Sequence, residues 1–240
     1  MIVLGIDTAT TACSAALWAD GAIVAHRFER MERGQAERLN PMIGEVMDEA
    51  AVGFQDLGAV AVTTGPGAFT GLRIGLAAAR AIGLAVAVPV IGITTFDALA
   101  RAVPDAERTG RSLVVAVNGK RRDVFFQVFG PDGATLGPGS ALDPVMAAGG
   151  LPEGRLLIAG DGAAQLRAGL EGRDEAGNGP EARIRFSSAL APPDAVQLAE
   201  IGAERCLEGG APPEPPRPLY IRPPDARLPH PRLGRGGGVS

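Results

Sequence analysis

The chain has 240 residues and a net charge of −4, and 46% of its residues are hydrophobic while 21% are charged. This composition is typical of a globular protein with a substantial core, and the negative charge argues against binding nucleic acid by bulk electrostatics. Two cysteines give little basis for a disulfide framework, and we find neither a signal peptide nor an uninterrupted apolar run of about 18 residues. We therefore expect a cytoplasmic protein.

The first half of the chain predicts a sheet flanked by helices. Apolar residues at helical spacing predict a helix over 39–50, a second helix is expected over 72–87, and Thr94-Thr95 indicates the N-cap of a third that continues to Ala100. The Asp20-Gly21 pair predicts a hairpin turn. Short apolar runs predict strands at 2–7, 13–18, 23–28, 60–63 and 88–93.

The second half repeats this order more loosely. Apolar runs predict strands at 112–117 and 124–129 around the basic turn Lys120-Arg121-Arg122, and a third strand at 156–159 before a helix that ends at Leu170. An amphipathic helix is expected over 194–207 after a Pro-Pro pair. The fold class is therefore α/β with two similar lobes, each a mixed sheet with flanking helices.

Composition also suggests boundaries along the chain. We assign the first lobe to 1–104 and the second to 105–228, with the helix at 194–207 a candidate to pack back on the first lobe. A polar, glycine-rich loop is expected over 173–183 and a stiff proline-rich connector over 212–218. The tail at 229–240 is predicted to be disordered.

The segment 64–75, TGPGAFTGLRIG, joins a predicted strand to a predicted helix. Gly65 and Gly67 allow a sharp turn and a close backbone approach, and a strand-to-helix junction directs free N–H groups outward. It is not a P-loop, because no Lys follows the last Gly of the required spacing. The junction is therefore either an anion cradle or a close-packing elbow.

Polar residues follow the first strand at 7–11, in the order Asp-Thr-Ala-Thr-Thr. A carboxylate beside hydroxyls is what a phosphate-and-magnesium site needs, although the same residues also satisfy local backbone amides in turns. Both interpretations stay open. The candidate cofactor-binding residues are Asp7, Thr8, Thr10, Thr11, Gly65 and Gly67.

The chain has few side chains suited to metal binding or to nucleophilic catalysis. His26 and His230 are far apart, and the chain contains neither an H-x-x-x-H nor a C-x-x-C pair, so a zinc or iron centre of the usual ligand set is not expected. No His is placed to serve a Ser or Cys nucleophile, and Cys13 and Ser14 fit a strand. We predict no catalytic residue and no metal ligand.

The second helix carries small residues at helical spacing. Repeated Gly in a helix costs about 1 kcal/mol each relative to Ala, which suggests that another backbone approaches closely. The first helix is rich in Met, which suits adaptable contacts. Both helices either pack internally on their own sheet or also form a subunit interface. The candidate interface residues are Leu39, Met42, Ile43, Val46, Gly71, Arg73, Ile74, Gly75, Ala78 and Ala79.

Four segments together resemble one protein family. They are IDTAT at 6–10, QAERL at 35–39 with Pro41, GPGAFTGLRIG at 65–75, and PLYIR at 218–222. With them the chain resembles the TsaB (YeaZ) family, bacterial proteins of tRNA threonylcarbamoyladenosine synthesis, over about residues 1–228. The block at 65–75 is the most specific of the four.

The resemblance implies a two-lobed fold of the actin, sugar-kinase and Hsp70 type. It implies a non-catalytic paralogue of TsaD, which carries the metal-binding histidines and transfers the threonylcarbamoyl group to N6 of adenosine 37 in tRNAs that read ANN codons. The implied partners are TsaD, the ATPase TsaE and a second copy, with the pairing helices at 35–51 and 71–87. The complex, rather than this chain alone, would contact tRNA and hold ATP or ADP with magnesium.

Two positions depart from the family pattern. Gln35 stands where many relatives have His, and Asn118 stands where relatives often have Asp. Two other functions stay open beside the scaffold role. One is an autonomous nucleotide-dependent ATPase or phosphotransferase, motivated by Asp7 and the glycine-rich junction. The other is a peptidase that acts on TsaD, for which the chain offers no convincing catalytic set.

Overall fold

Two five-stranded mixed sheets organise the chain, and the computed structural model describes residues 1–119, 122–170, 182–189, 192–209 and 214–222. In each sheet the first strand pairs antiparallel with the second and parallel with the fourth. The first sheet has the order β3-β2-β1-β4-β5, and the second repeats it as β8-β7-β6-β9-β10. The predicted fold class and its internal repeat are therefore confirmed.

The elements have the following bounds. The strands are β1 (Ile2–Asp7), β2 (Ala12–Ala19), β3 (Ala22–Arg30), β4 (Ala59–Gly65), β5 (Val90–Thr94), β6 (Ser112–Asn118), β7 (Val124–Phe129), β8 (Ser140–Leu142), β9 (Leu156–Ala159) and β10 (Ile184–Phe186). The helices are α1 (Gln35–Glu49), α2 (Phe69–Val86), α3 (Thr95–Ala102), α4 (Asp105–Arg108), α5 (Pro144–Gly149), α6 (Ala163–Gly169) and α7 (Ala195–Leu207), with a short 3-10 helix at Phe54–Asp56.

The predicted turns and caps are confirmed at two places. Asp20 and Gly21 both have positive φ, 47° and 99°, and join β2 to β3 as a hairpin. Thr94 caps α3, because its side chain accepts a hydrogen bond from Asp97 N. Helix α1 begins at Gln35, where the family resemblance places it and earlier than the apolar pattern does, and α2 begins at Phe69, earlier than either prediction. The short elements β8, β10, α4 and α5 were not predicted.

Alternation along β1 places the first sheet between two helical layers. Leu4 and Ile6 pack toward α1 and α2, while Val3 faces α3 and α7 on the other side. A Cβ on Gly5 would lie 2.3 Å from Ala195 O, so α7 crosses β1 at close range. Helix α7, although it follows the second sheet in sequence, therefore packs on the first.

The two sheets are joined by α3 and by a C-terminal strap, residues 214–222. Phe96 of α3 lies in the core of the second sheet, and Ala98 lies in that of the first. Within the strap, Leu219 N donates to Thr64 O at 2.8 Å, and Arg222 pairs with Asp123 at 3.2 Å. The strap thus connects the end of β4 in the first sheet to the β6–β7 hairpin of the second.

Several sequence predictions fall outside the described residues. These are Lys120 and Arg121, most of the glycine-rich loop at 173–183, the start of the connector at 212–218, and the tail at 229–240. Among the described residues, α2 is long and apolar enough, by length and composition, to cross a membrane. It packs on the first sheet, and its buried residues contribute to that core.

Candidate functional site

A cleft of about 940 Å³ lies between the two lobes. The first lobe contributes Thr10 and the N-terminal ends of α1 and α2, and the second lobe contributes the end of β6 and the beginning of β7. Tyr220 and Arg222 of the strap complete the wall. The residues that surround it are Thr10, Glu32, Arg33, Gly34, Gln35, Ala36, Glu37, Gly67, Ala68, Phe69, Thr70, Gly71, Arg73, Ile74, Asn118, Gly119, Phe125, Tyr220 and Arg222.

Asp7 does not contribute to the wall of this cleft and is fully buried. Its Oδ1 accepts hydrogen bonds from Thr63 Oγ1 and from Ala9 N, the latter at 3.2 Å, and its Oδ2 has no partner among the described residues. Burial raises the pKa of the Asp7 carboxyl to about 7, and the Thr63 hydrogen bond opposes that shift. Because magnesium requires an ionised oxygen that it can reach, these surroundings do not fit a magnesium ion held by Asp7.

The other predicted cofactor residues divide between the cleft and the interior. Thr10 and Gly67 border the cleft. Thr8 is buried, and its hydroxyl donates to Gly71 O at 2.7 Å, which ties the turn after β1 to α2. Thr11 lies outside the cleft wall, and its carbonyl accepts from Met31 N at 3.1 Å. Gly65 lies outside it as well.

The glycine-rich junction is packed closely against its surroundings. A Cβ on Gly67 would lie 2.3 Å from Ala9 O, and one on Gly65 would lie 3.0 Å from Leu219 O, where φ is also +117°. Ala68 N donates to Ala9 O at 2.7 Å. Of the two interpretations of this segment, the close-packing elbow therefore accounts for both glycines.

The predicted interface residues lie mostly inside the first lobe. The side chains of the four α1 residues, Leu39, Met42, Ile43 and Val46, are buried in the core between the helices and the sheet. Gly71, Gly75 and Ala79 are also buried, and Arg73, Ile74 and Ala78 are exposed or partly exposed.

Gly71 and Gly75, two of the candidate interface residues, are packed against the chain itself. A Cβ on Gly71 would lie 2.1 Å from Thr8 O, and one on Gly75 would lie 2.7 Å from Thr8 Oγ1. The atoms that approach these glycines thus belong to Thr8, in the turn after β1 of the same chain: its carbonyl oxygen faces Gly71 and its hydroxyl faces Gly75. A partner of α2 would instead meet the outward stripe Ala77, Ala81, Leu84 and Ala85, which is exposed.

Two aromatic rings and an arginine form a stack where the strap passes the N-terminus of α2. The Phe69 and Tyr220 ring centroids are 5.7 Å apart with 28° between planes, and Arg73 Cζ lies 3.7 Å above the Phe69 ring. In the sequence these residues lie in separate motifs, Phe69 and Arg73 in the segment 65–75 and Tyr220 in the segment 218–222. Their contact, and the presence of Arg33 and Arg222 in the same cleft, depend on long-range packing that no local pattern signals.

Neither His26 nor Cys13 is arranged for catalysis. His26 Nε2 lies 2.8 Å from Asp194 Oδ1, and Asp194 is the N-cap of α7, so the pair joins β3 to that helix. Burial raises the pKa of the Cys13 thiol to about 12, which keeps it protonated and unreactive at neutral pH. Within the described residues no three His, Cys, Asp or Glu side chains are grouped to hold a metal ion.

Comparisons with known proteins, by sequence and by structure, identify related proteins. The family model described as "TsaD: tRNA N6-adenosine threonylcarbamoyltransferase" matches residues 28–171. The tRNA threonylcarbamoyladenosine biosynthesis protein TsaB of Escherichia coli is 34% identical over 146 residues, which cover 61% of this chain and 62% of that protein. An uncharacterized protein of Mycobacterium tuberculosis is 38% identical over 165 residues, which cover 65% of this chain and 75% of the relative.

Solved structures show the same fold. A Pseudomonas aeruginosa protein described as uncharacterized, with similarity to peptidase YEAZ, superposes with a TM-score of 0.75 at 25% identity, covering 92% of this chain and 99% of that one. YeaZ from the same organism gives a TM-score of 0.73 at 24% identity, with 91% and 99% covered. The sequence match to the Escherichia coli relative, by contrast, spans less than two thirds of that protein.

Proposed function

This chain belongs to the TsaB (YeaZ) family, and we propose that it is a non-catalytic subunit in the synthesis of tRNA threonylcarbamoyladenosine. In this proposal it pairs with TsaD, which performs the transfer to N6 of adenosine 37, and it stabilises and activates that partner. TsaE and a second copy of this chain are further partners, and tRNA is contacted through the complex in the cytoplasm. Any ATP or ADP with magnesium binds at the level of that complex.

The outward face of α2 carries the proposal. Ala77, Ala81, Leu84 and Ala85 follow the i, i+4, i+7, i+8 spacing of one helical stripe, and all four are exposed. Leu84 is 87% exposed, the highest value among the large hydrophobic side chains of the described residues. Small side chains along a helix allow a second helix to approach closely, and burying them against a partner removes apolar surface from water.

Gly44 on the neighbouring helix α1 gives independent support. A Cβ at this position would meet nothing within 4 Å, whereas a Cβ on Gly71 or Gly75 would collide with the chain itself. A glycine inside a helix costs about 1 kcal/mol relative to alanine, and no internal contact of Gly44 offsets that cost. A backbone that approaches from another molecule would account for it.

Co-elution with TsaD tests the proposal. The purified chain mixed with TsaD at micromolar concentration is expected to form a complex by size exclusion and analytical ultracentrifugation. Leu84→Glu places a charge on the proposed contact and is expected to weaken the pairing about tenfold or more, because a buried unpaired carboxylate is costly. Leu207→Glu, at a site 69% exposed at the end of α7, is the matched control and is expected to pair normally.

The outcomes distinguish the subunit role from the use of α2 as the docking face. Failure of the wild-type chain to co-elute with TsaD would contradict the subunit role itself. Co-elution of wild type and Leu84→Glu with equal affinity would retain the subunit role and refute the α2 docking face. Loss of pairing in Leu207→Glu as well would point to a general charge effect rather than to a specific face.

A further inference from the structure

The strap contains the PLYIR segment, one of the four that carry the family resemblance, and the proposed subunit role does not involve it. The strap is held by the first lobe as far as Tyr220. Leu219 N donates to Thr64 O at 2.8 Å, near the end of β4. The Tyr220 ring stacks on Phe69 of α2 with the ring centroids 5.7 Å apart. A backbone hydrogen bond and a ring stack therefore fix this part of the strap to the first lobe.

The next two residues of the strap are held by the second lobe instead. Ile221 is partly buried against the core of the second sheet, and a Cβ on Gly139 would lie 3.1 Å from its Cδ1. Arg222 pairs with Asp123 at 3.2 Å, and its Cζ lies 5.7 Å from the centre of the Phe125 ring. The two side chains of the ion pair are 26% and 31% exposed, so water screens their attraction only in part.

The strap passes from one lobe to the other within a single peptide unit. Tyr220 is held by the first lobe, and Ile221, the next residue, is held by the second. Covalent geometry fixes the distance between consecutive Cα atoms at about 3.8 Å. Because no spare length of chain lies between the two sets of contacts, the lobes cannot separate at this point unless one set breaks.

The crossing point of the strap lies in the wall of the interlobe cleft, which both Tyr220 and Arg222 border. The chain also crosses between the lobes at two other places, through α3 and between β10 and α7. No described residue of those two segments borders the cleft. Of the three crossings, the strap is therefore the one that an opening of the cleft would stretch directly.

We propose that the strap is an interlobe latch, which keeps the two lobes in one relative orientation and limits how far the cleft opens. When the latch releases, the contacts of Ile221 and Arg222 with the second lobe break first. They consist of one partly buried side chain and one partly exposed ion pair. The first lobe, by contrast, holds the strap through the backbone bond to Thr64 and also through Arg80 of α2, which donates to Pro216 O. The latch acts within this chain and does not rest on the proposed pairing with TsaD.

Double electron–electron resonance on the full chain tests the latch. Nitroxides are attached at Glu37→Cys and Ala164→Cys, exposed positions near the cleft end of each lobe, and the two native cysteines are replaced by alanine. With the native strap we expect one narrow distribution of distances between the two labels. Arg222→Glu places a second carboxylate beside Asp123, and the repulsion should release the latch. The population with separated lobes should then rise from the minor level of about 0.1–10% that is usual for such equilibria to a resolved peak at longer distance.

Two further variants distinguish a latch from a general effect of charge. Asp123→Arg, added to Arg222→Glu, restores a pair of opposite charges and should restore the narrow distribution. Arg217→Glu is the matched control, because it makes the same charge change in the strap at a side chain that is 81% exposed and paired with Glu214 of the strap itself. It should leave the distribution unchanged. A broad distribution with the native strap, or identical distributions for the native strap and Arg222→Glu, would overturn the proposal. So would a second population in Arg217→Glu, or its persistence in the charge-swapped variant.

Discussion

Replacing single glycines by alanine on α1 and α2 is expected to shift stability in opposite directions. Gly44→Ala adds a methyl group to open space and gains the better helix propensity of alanine, about 1 kcal/mol. Gly71→Ala gains some of the same propensity, but its Cβ would lie 2.1 Å from Thr8 O, a backbone atom. Overpacking of this kind costs about 1–3 kcal/mol or more, so we expect a net loss of about 1–2 kcal/mol.

The two variants should therefore differ by about 2–3 kcal/mol. For a chain of this size, each kcal/mol moves the melting temperature by about 2–4 °C, which gives a separation of roughly 4–12 °C. Thermal unfolding followed by circular dichroism, on samples dilute enough to sediment as monomers, measures it. Gly75→Ala is a graded third case, because its Cβ would lie 2.7 Å from Thr8 Oγ1, a side-chain atom that can move at the expense of its hydrogen bond to Gly71 O.

Gly71→Ala as stable as Gly44→Ala would refute the packing account of α2. It would mean that the turn after β1 does not contact the helix closely. The alternative, that the small residues of α2 contact another subunit, would then be favoured. Gly44→Leu extends the test to pairing, since a large side chain there should leave the isolated fold intact and weaken association with TsaD. Unchanged association would remove Gly44 from the proposed contact.

Three further predictions concern the interior and the strap. The pKa of Asp7 is about 7 in the folded state and about 3.9 in an unfolded chain, so its contribution to stability is full below pH 4 and is lost as pH rises to 7. In Asp7→Asn the free energy of unfolding, measured with urea, should therefore change less with pH across this range. Asp194→Ala removes the cap contact to Val196 N and should cost about 1 kcal/mol or more by urea unfolding. Tyr220→Ala removes a ring from the stack on Phe69 and should speed proteolysis of the strap.

Each of these has a result that would contradict it. Parallel stability curves for wild type and Asp7→Asn between pH 5 and 8 would mean that the carboxyl is not protonated in the folded state at the lower pH. Asp194→Asn retains a capping oxygen and replaces the charged partner of His26, so equal losses in the Ala and Asn variants would assign the effect to that contact rather than to the cap. Unchanged strap proteolysis in Tyr220→Ala would show that Leu219 and Arg222 hold the strap without the stack.

The long central strands were predictable from local pattern, and the short edge elements were not. Strands β1, β4 and β6 consist of apolar runs that are buried on both faces, and such runs stand out in any window of the sequence. Strands β8 and β10 lie at sheet edges and have three residues each, which is too few for an alternating apolar pattern to be recognised. Helix α1 begins earlier than its apolar pattern predicts, because its first turn, from Gln35, is largely polar and carries little of the apolar stripe; only the family resemblance placed its start at 35.

The candidate site was predictable only in part. Thr10 and Gly67 were selected for their residue types and do border the cleft, but Asp7, from the same motif, is turned into the interior. A strand alternates its side chains between faces, so residue type alone does not say which face meets a cleft and which meets a packed helix. Arg33 comes from the segment just before α1, whereas Arg222 and Tyr220 come from the strap, so the three residues meet at the cleft only through tertiary packing.

Local order in the amino acids was enough to determine the repeated α/β arrangement, the Asp20-Gly21 hairpin and the cap at Thr94, because periodicity, turn conformation and capping act between near neighbours. Tertiary structure alone decided that Gly71 and Gly75 face Thr8 while Leu84 faces outward. A helical repeat of 3.6 residues defines which side chains share a stripe, but the direction in which that stripe points is set by the sheet on which the helix packs.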